Sequence, residues 1–239
     1  SLVSSLSDAL NDISSRTGSA AALAANAGSV GSNTLVYQAK FNSADWSGRL
    51  LALSINPTNG TVATIPTWDA ASRLNLQNFN TGRNIITYNP TLQDGAAFRW
   101  ASIDANQQTS LNINPATSVG DGNGQARLNY LRGESVNENA GLNFRARGCT
   151  DLATGTSVAC TPNNGRLGDI INSAPMYVEK PSNYYSDTME SEPYSAFVTA
   201  NQTRTPMVYL GANDGMLHGF NATTGDELLA YVPSQVYTN

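Results

Sequence analysis

The 239-residue sequence is short of lysine, histidine, cysteine and charge in general. Lys40 and Lys180 are its only lysines, and charged residues make up 13% of the chain, well under the usual quarter. Asn, Ser, Thr and Gly fill the polar positions instead, which suits an exported, turn-rich β protein better than a cytosolic helical one. With a net charge of −5 and no basic run beyond Arg145 and Arg147, a nucleic-acid surface is excluded. No apolar run approaches the ~18 residues of a membrane span. Ser1-Leu2-Val3 lacks the basic start and apolar core of a signal peptide. The sequence therefore reads as mature or as a fragment. Its stop at Gln235 to Asn239, directly after an expected strand, favours a fragment.

Catalytic sets are missing as well. There is no G-x-S-x-G elbow to supply a nucleophile for His218, the single histidine. His218 is read as a structural residue that bonds backbone at the edge of a β unit. There is no H-E-x-x-H and no P-loop, and Gly120-x-Gly122-x-Gly124 carries Gln125 where a dinucleotide fingerprint needs its third glycine. Asp121-Gly122-Asn123-Gly124 begins like a calcium loop but has no downstream Glu at the required distance. No catalytic, cofactor or metal residue is assigned. Two cysteines, Cys149 and Cys160, stand in a Thr/Asn/Gly-rich loop. They read as a disulfide of an exported protein or as two free thiols. Closing so short a loop contributes about 3 kcal/mol in the chain-entropy model.

What is present is strand–turn grammar. From Pro206 to Pro233 the sequence predicts a three-stranded meander. Its strands are Met207–Ala212, Met216–Phe220 and Leu228–Val232. Asn213-Asp214-Gly215 and Asn221 to Gly225 form the turns, because Asn, Asp and Gly tolerate positive φ and Asn bonds its own backbone. Further strands are expected at Leu35–Phe41, Gly48–Ile55, Thr61–Trp68 and Asp169–Val178. The strands from Leu35 to Trp68 repeat the grammar of the meander, and a third partial copy of the same unit runs from Asn84 to Trp100. Consecutive short strands of this kind build β-propeller blades.

Three or four blades fit, so the expected fold is mainly β: a partial propeller over 34–239 with open edges. A helix and connector occupy 1–33, on the spacing of Leu2, Leu6, Leu10 and Ile13. An insertion falls at about 101–166. Its first part, 101–133, is helical, with Ser102 and Asp121 on the N-cap side and Gly133 as C-cap. The tryptophans Trp46, Trp68 and Trp100 are expected to pack between blades.

The run Val208-Tyr209-Leu210-Gly211-Ala212-Asn213-Asp214-Gly215-Met216-Leu217-His218 to Glu227 resembles the propeller repeat of quinoprotein-type dehydrogenases. More closely, it is similar to the PilC/PilY family of type IV pilus biogenesis and tip-adhesin proteins. Leu167-Gly168-Asp169 to Pro175, Tyr130-Leu131-Arg132-Gly133 and Asp45-Trp46-Ser47-Gly48 fit the same family. The resemblance implies a non-enzymatic surface or pilus-tip protein of a Gram-negative bacterium, exported through the periplasm and outer membrane. It implies contact with minor pilins and support of pilus assembly, twitching motility and attachment to a host-cell surface. The loops 134–166 and 179–193 are the candidate partner surface by position. A von Willebrand A-like domain can precede the propeller in this family, but its D-x-S-x-S motif is absent here. The family's calcium loop is absent too, which leaves any calcium to the propeller beyond Asn239. The alternatives are a truncated pyrroloquinoline-quinone-type dehydrogenase and an outer-membrane assembly scaffold. Asn221 in place of the usual Asp, and Leu229 near where Trp docks blades, both weaken the dehydrogenase.

Overall fold

The computed structural model describes residues 22–25, 34–42, 46–138, 142, 144–147, 149–150, 157–158 and 165–238. The expected helix at 1–16 and the Cys149–Cys160 pairing lie outside the described residues; of Cys149 only the backbone is described.

The change to period 2 after Thr34 produces most of the first sheet, but its first strand lies earlier, within the segment 1–33 expected to hold a helix and connector. Strands β1 (Ala22–Ala25), β2 (Leu35–Asn42), β3 (Ser47–Ser54) and β4 (Trp68–Asp69) pair antiparallel in that order. Leu50, Leu51, Ala52 and Leu53 are all buried, so β3 is covered on both faces and reads as a continuous apolar run. The expected third strand at Thr61–Trp68 shrinks to β4 and an isolated bridge between Ile55 and Val62. Pro66 has no N–H to give a ladder, and Asp69 leaves the strand to cap helix α1 (Ala70–Leu76), accepting from Ala71 N at 2.9 Å.

Strands β5 (Ile85–Asn89) and β6 (Asp94–Ala97) form the hairpin expected within Asn84–Trp100. They do not open a blade of their own. Beyond them the insertion carries helix α2 (Ala105–Leu111), short strands β7 (Ile113–Asn114) and β8 (Val119–Gly120), and helix α3 (Gly124–Arg132). The α2 cap is Asp104, not Ser102, because Asp104 and Gln107 bond each other's backbone reciprocally. Asn123, not Asp121, precedes α3; the Asp121 carboxylate is engaged by Asn123 N and Arg127. Gly133 ends α3 at φ 118°, a left-handed conformation that suits glycine. Strands β9 (Cys149–Thr150) and β10 (Ser157–Val158) pair with each other.

The second blade-like unit is β11 (Met176–Val178), β12 (Met207–Ala212), β13 (Met216–Asn221) and β14 (Glu227–Val232), an antiparallel meander. The β5–β6 hairpin extends it by parallel pairing of β14 with β5. The expected strand at Asp169–Val178 keeps only its last three residues. Asn172 sits at φ 60° and Pro175 lacks an N–H, so neither continues a ladder. Between β11 and β12 runs an excursion that carries helix α4 (Tyr194–Ala200), which has no buried residue. A Phe197→Gln substitution there is expected to change stability by less than about 0.5 kcal/mol in a thermal melt. A loss above about 1 kcal/mol would mean that α4 packs on the body.

Side chains from the two sheets meet in one core: Tyr37, Leu50, Trp68, Leu167, Val208 and Phe220 are among its buried members. Tyr37 stacks on Trp68 with ring centroids 5.7 Å apart, and Trp68 Nε1 donates to Ala222 O at 3.1 Å. Trp68 thus joins the two sheets, as expected. Trp46 does not, being 51% exposed at φ 54°. A second core gathers Ile85, Phe98, Ile103, Leu128, Met216 and Val232, with Trp100 packed against it. It seats the helical insertion on the second sheet.

Candidate functional site

Alternation along β13 puts Met216, His218 and Phe220 on one face. Met216 belongs to the second core and Phe220 to the first, so His218 is lodged between two apolar clusters. It is fully buried, its ring stacked on Phe220 at 5.7 Å. A polar side chain there needs partners. Nδ1 lies 2.7 Å from Glu227 Oε1, and Nε2 lies 3.0 and 3.1 Å from the two Asp214 oxygens. The sequence reading gave His218 backbone partners; the structure gives it two carboxylates. Both ring nitrogens face carboxylate oxygens, so the imidazolium donates to each. Burial pulls the histidine toward its neutral form, but the Asp214 and Glu227 charges outweigh it and push the pKa up to about 9.

The chain of contacts continues. Burial favours protonated Glu227, yet Arg83 and His218 hold its pKa at about 2. Arg83 grips it in a fork, Nε to Oε2 at 2.7 Å and Nη2 to Oε1 at 2.8 Å. Arg83 Nη1 donates to Arg132 O at 2.7 Å. Arg132, itself buried, donates to Phe98 O, Phe79 O and Asn80 O. Burial, followed by the like charges of Arg99 and Arg83, lowers the Arg132 pKa to about 10. Asp214 sits at the other end. Burial opposes its ionisation, but His218 overcomes this and lowers its pKa.

The turn residues hold this arrangement. Gly215 at φ 85° closes the β12–β13 turn, and Asp214 Oδ1 accepts from Met216 N at 3.1 Å. Asn221 Oδ1 accepts from Thr223 N and Thr224 N, and Gly225 stands at φ 77°. Asp214 Oδ2 also takes Gly168 N at 3.2 Å, and Asn213 Nδ2 bonds Asp169 Oδ2 at 2.6 Å. Gly48 N donates to Leu167 O at 3.0 Å, and Ser47 bridges Gly168. Four stretches that are far apart in sequence therefore converge: Ser47-Gly48, Leu131-Arg132-Gly133, Leu167-Gly168-Asp169 and Asn213-Asp214-Gly215. The sequence marked each of them separately. Arg83, Arg166 and Glu227 were missed as site residues, since a lone Arg or Glu carries no local signal of burial.

Beside this junction opens a cleft of about 390 Å³. Gly168, Asp169, Asn213 and Asp214 line one side of it, and the insertion lines the other. The insertion's wall is a ladder of rings and guanidiniums. Arg147 Cζ lies 4.3 Å from the Tyr130 ring centroid, Tyr130 and Phe144 are 5.3 Å apart, and Arg127 Cζ is 6.0 Å from Phe144. Arg127 pairs with Asp121 and Arg147 with Glu138. Among the described residues no group of three or more His, Cys, Asp or Glu side chains is placed to hold a metal ion. No helix among them is long and apolar enough to cross a membrane.

Two meandering sheets, unclosed and packed through a shared core, define part of a β-propeller. Residues 167–238 match the family described as the PilY1 beta-propeller domain. Over 207 residues the chain is 38% identical to the type IV pilus biogenesis factor PilY1 of Pseudomonas aeruginosa strain PAK, covering 84% of this chain and 16% of that protein. It is 30% identical over 237 residues to a type IV pilus biogenesis factor PilY1 homolog of Xylella fastidiosa strain Temecula1, covering 97% and 16% respectively. The chain belongs to the PilY1 family of type IV pilus biogenesis factors. It spans 16% of the length of these curated relatives. No solved structure matches it.

Proposed function

We propose that this chain is a non-enzymatic binding and scaffolding part of a type IV pilus biogenesis factor. In this reading it acts at the surface of a Gram-negative cell, at the pilus tip. There it engages minor pilins and supports assembly, twitching motility and attachment to host cells. The observation that carries the reading is the 38% identity over 84% of the chain to a protein named for that process. The buried network supports the non-enzymatic part. His218 is fully buried and both its nitrogens are held by carboxylates, so it has no free nitrogen to accept a substrate proton.

The test uses the whole protein in its own host. Deleting the gene should abolish or sharply reduce sheared surface pili and twitching zones. Restoring the full-length protein should recover both, and restoring a version without this segment should recover neither. Purified minor pilins should co-precipitate with the full-length protein. Normal piliation in the deletion strain would overturn the proposal.

A further inference from the structure

The cleft beside the junction holds a buried cation whose side-chain hydrogen bonds go to backbone carbonyls. Arg166 lines the cleft and is only 5% exposed. Among the described residues it has no carboxylate partner. Its Nη1 donates to the carbonyls of Leu74 and Gln77, and among the described residues its buried Nε has no hydrogen-bond partner. A buried arginine normally meets a carboxylate, and an unsatisfied donor is costly. Room for this side chain is made deliberately: a Cβ at Gly133 would lie 2.9 Å from both Arg166 Cδ and Nε. The Tyr130 and Phe144 rings and the Leu131 side chain make the adjoining wall apolar, and the exposed Arg145 stands beside them. Opposite, Asp169 and Asn213 offer oxygen acceptors.

We propose that this cleft is a binding site for a peptide segment that presents a carboxylate beside a bulky apolar side chain. The carboxylate faces Arg166 and Arg145. The apolar group lies against Tyr130, Leu131 and Phe144, and backbone N–H groups reach Asp169 and Asn213. The proposal deepens the binding role above by naming the recognition chemistry of one surface.

The experiment is an NMR titration of the purified 239-residue chain with acetyl-Gly-Glu-Leu-Phe-Gly-amide. Parallel titrations use the peptide with Lys in place of Glu, sodium acetate and inorganic phosphate. Saturable shifts are expected for the Glu peptide, centred on residues 144–147 and 166–169, with little response to the other three. Arg145→Glu should weaken binding about tenfold or more, and Phe144→Ala several-fold. Both sites are at or near the surface, and an unchanged amide spectrum elsewhere checks that each variant is folded. Arg166→Lys keeps the charge but loses the fork, and should bind more weakly than the unmodified chain. The proposal is overturned by no saturable shifts, by equal binding of the Lys peptide, or by affinity indifferent to Arg145→Glu and Phe144→Ala. Because the readout is on the purified chain, its failure is distinct from any failure of the piliation test.

Discussion

Glu227→Gln is expected to cost this chain about 3–5 kcal/mol of stability. The substitution keeps the shape of the side chain and removes its charge. Arg83, whose side chain is 1% exposed, then has no carboxylate within its fork, and His218 retains only Asp214. Breaking a buried pair by deleting one member costs about 3–5 kcal/mol, because the partner is left charged in an apolar setting. Domains of this size are stable by about 5–15 kcal/mol in total. The urea midpoint should fall accordingly, and a loss below about 1 kcal/mol would mean that water reaches Arg83. Replacing the members together, as Arg83→Met, Asp214→Asn, His218→Phe and Glu227→Leu, should recover much of the loss, since no charge is then stranded.

The same network fixes a pH window. The folded pKa of His218 is raised from 6.5 to about 9. Its contribution is fully present below pH 6.5 and is lost as pH rises through 9. The folded pKa of Glu227 is lowered from 4.5 to about 2, so its contribution is present above pH 4.5 and is lost as pH falls toward 2. Stability should therefore be greatest between about pH 4.5 and 6.5, falling on the alkaline side by on the order of 3 kcal/mol. In His218→Phe the alkaline limb should flatten. An alkaline limb as steep as in the unmodified chain would show that another group causes it.

Gly48→Ala is the second large effect. A Cβ there would sit 2.0 Å from Gly168 O and 3.1 Å from Ile170 Cγ1. The first of these is backbone, and no rotamer relieves it. Gly168 in turn cannot move away, because a Cβ on it would already lie 2.5 Å from Asp214 N. Three backbones are stacked at this point without side chains between them. The alanine must part β3 from the Leu167-Gly168 segment and break the Gly48 N to Leu167 O bond. The expected cost is about 3 kcal/mol, the upper part of the range for overpacking. Gly95→Ala is the control: its Cβ meets nothing within 4 Å, so it should be neutral or stabilising by up to about 1 kcal/mol. Equal effects of the two substitutions would remove close backbone approach as the reason for Gly48.

The meander of β12, β13 and β14 was legible residue by residue. Its turns need positive φ, and Asn-Asp-Gly and Asn-to-Gly supply it locally. The β2 and β3 strands were legible for the same reason, since alternation and apolar runs are local signals. The signals failed where a neighbour in space decided. Thr61–Trp68 has the composition of a strand, but Asp69 turns the chain into α1. Asn84–Trp100 has the grammar of a blade, but its hairpin joins β14 in parallel because that edge was open. Helix α4 buries nothing, so it left no amphipathic stripe to read.

The sequence alone determined the class of protein: few charges, short strands and turn residues at fixed offsets specify a propeller-like β chain, because backbone propensity acts over a few residues. It also marked four motif stretches as special. Only the tertiary structure decided what they are for. Burial is a property of distance in space, and residues as far apart as Gly48, Gly133, Gly168 and Asp214 share one junction only after the sheets pack. That packing turned an isolated histidine into an imidazolium between two carboxylates, and an ordinary surface-type arginine into the buried Arg166 of the cleft.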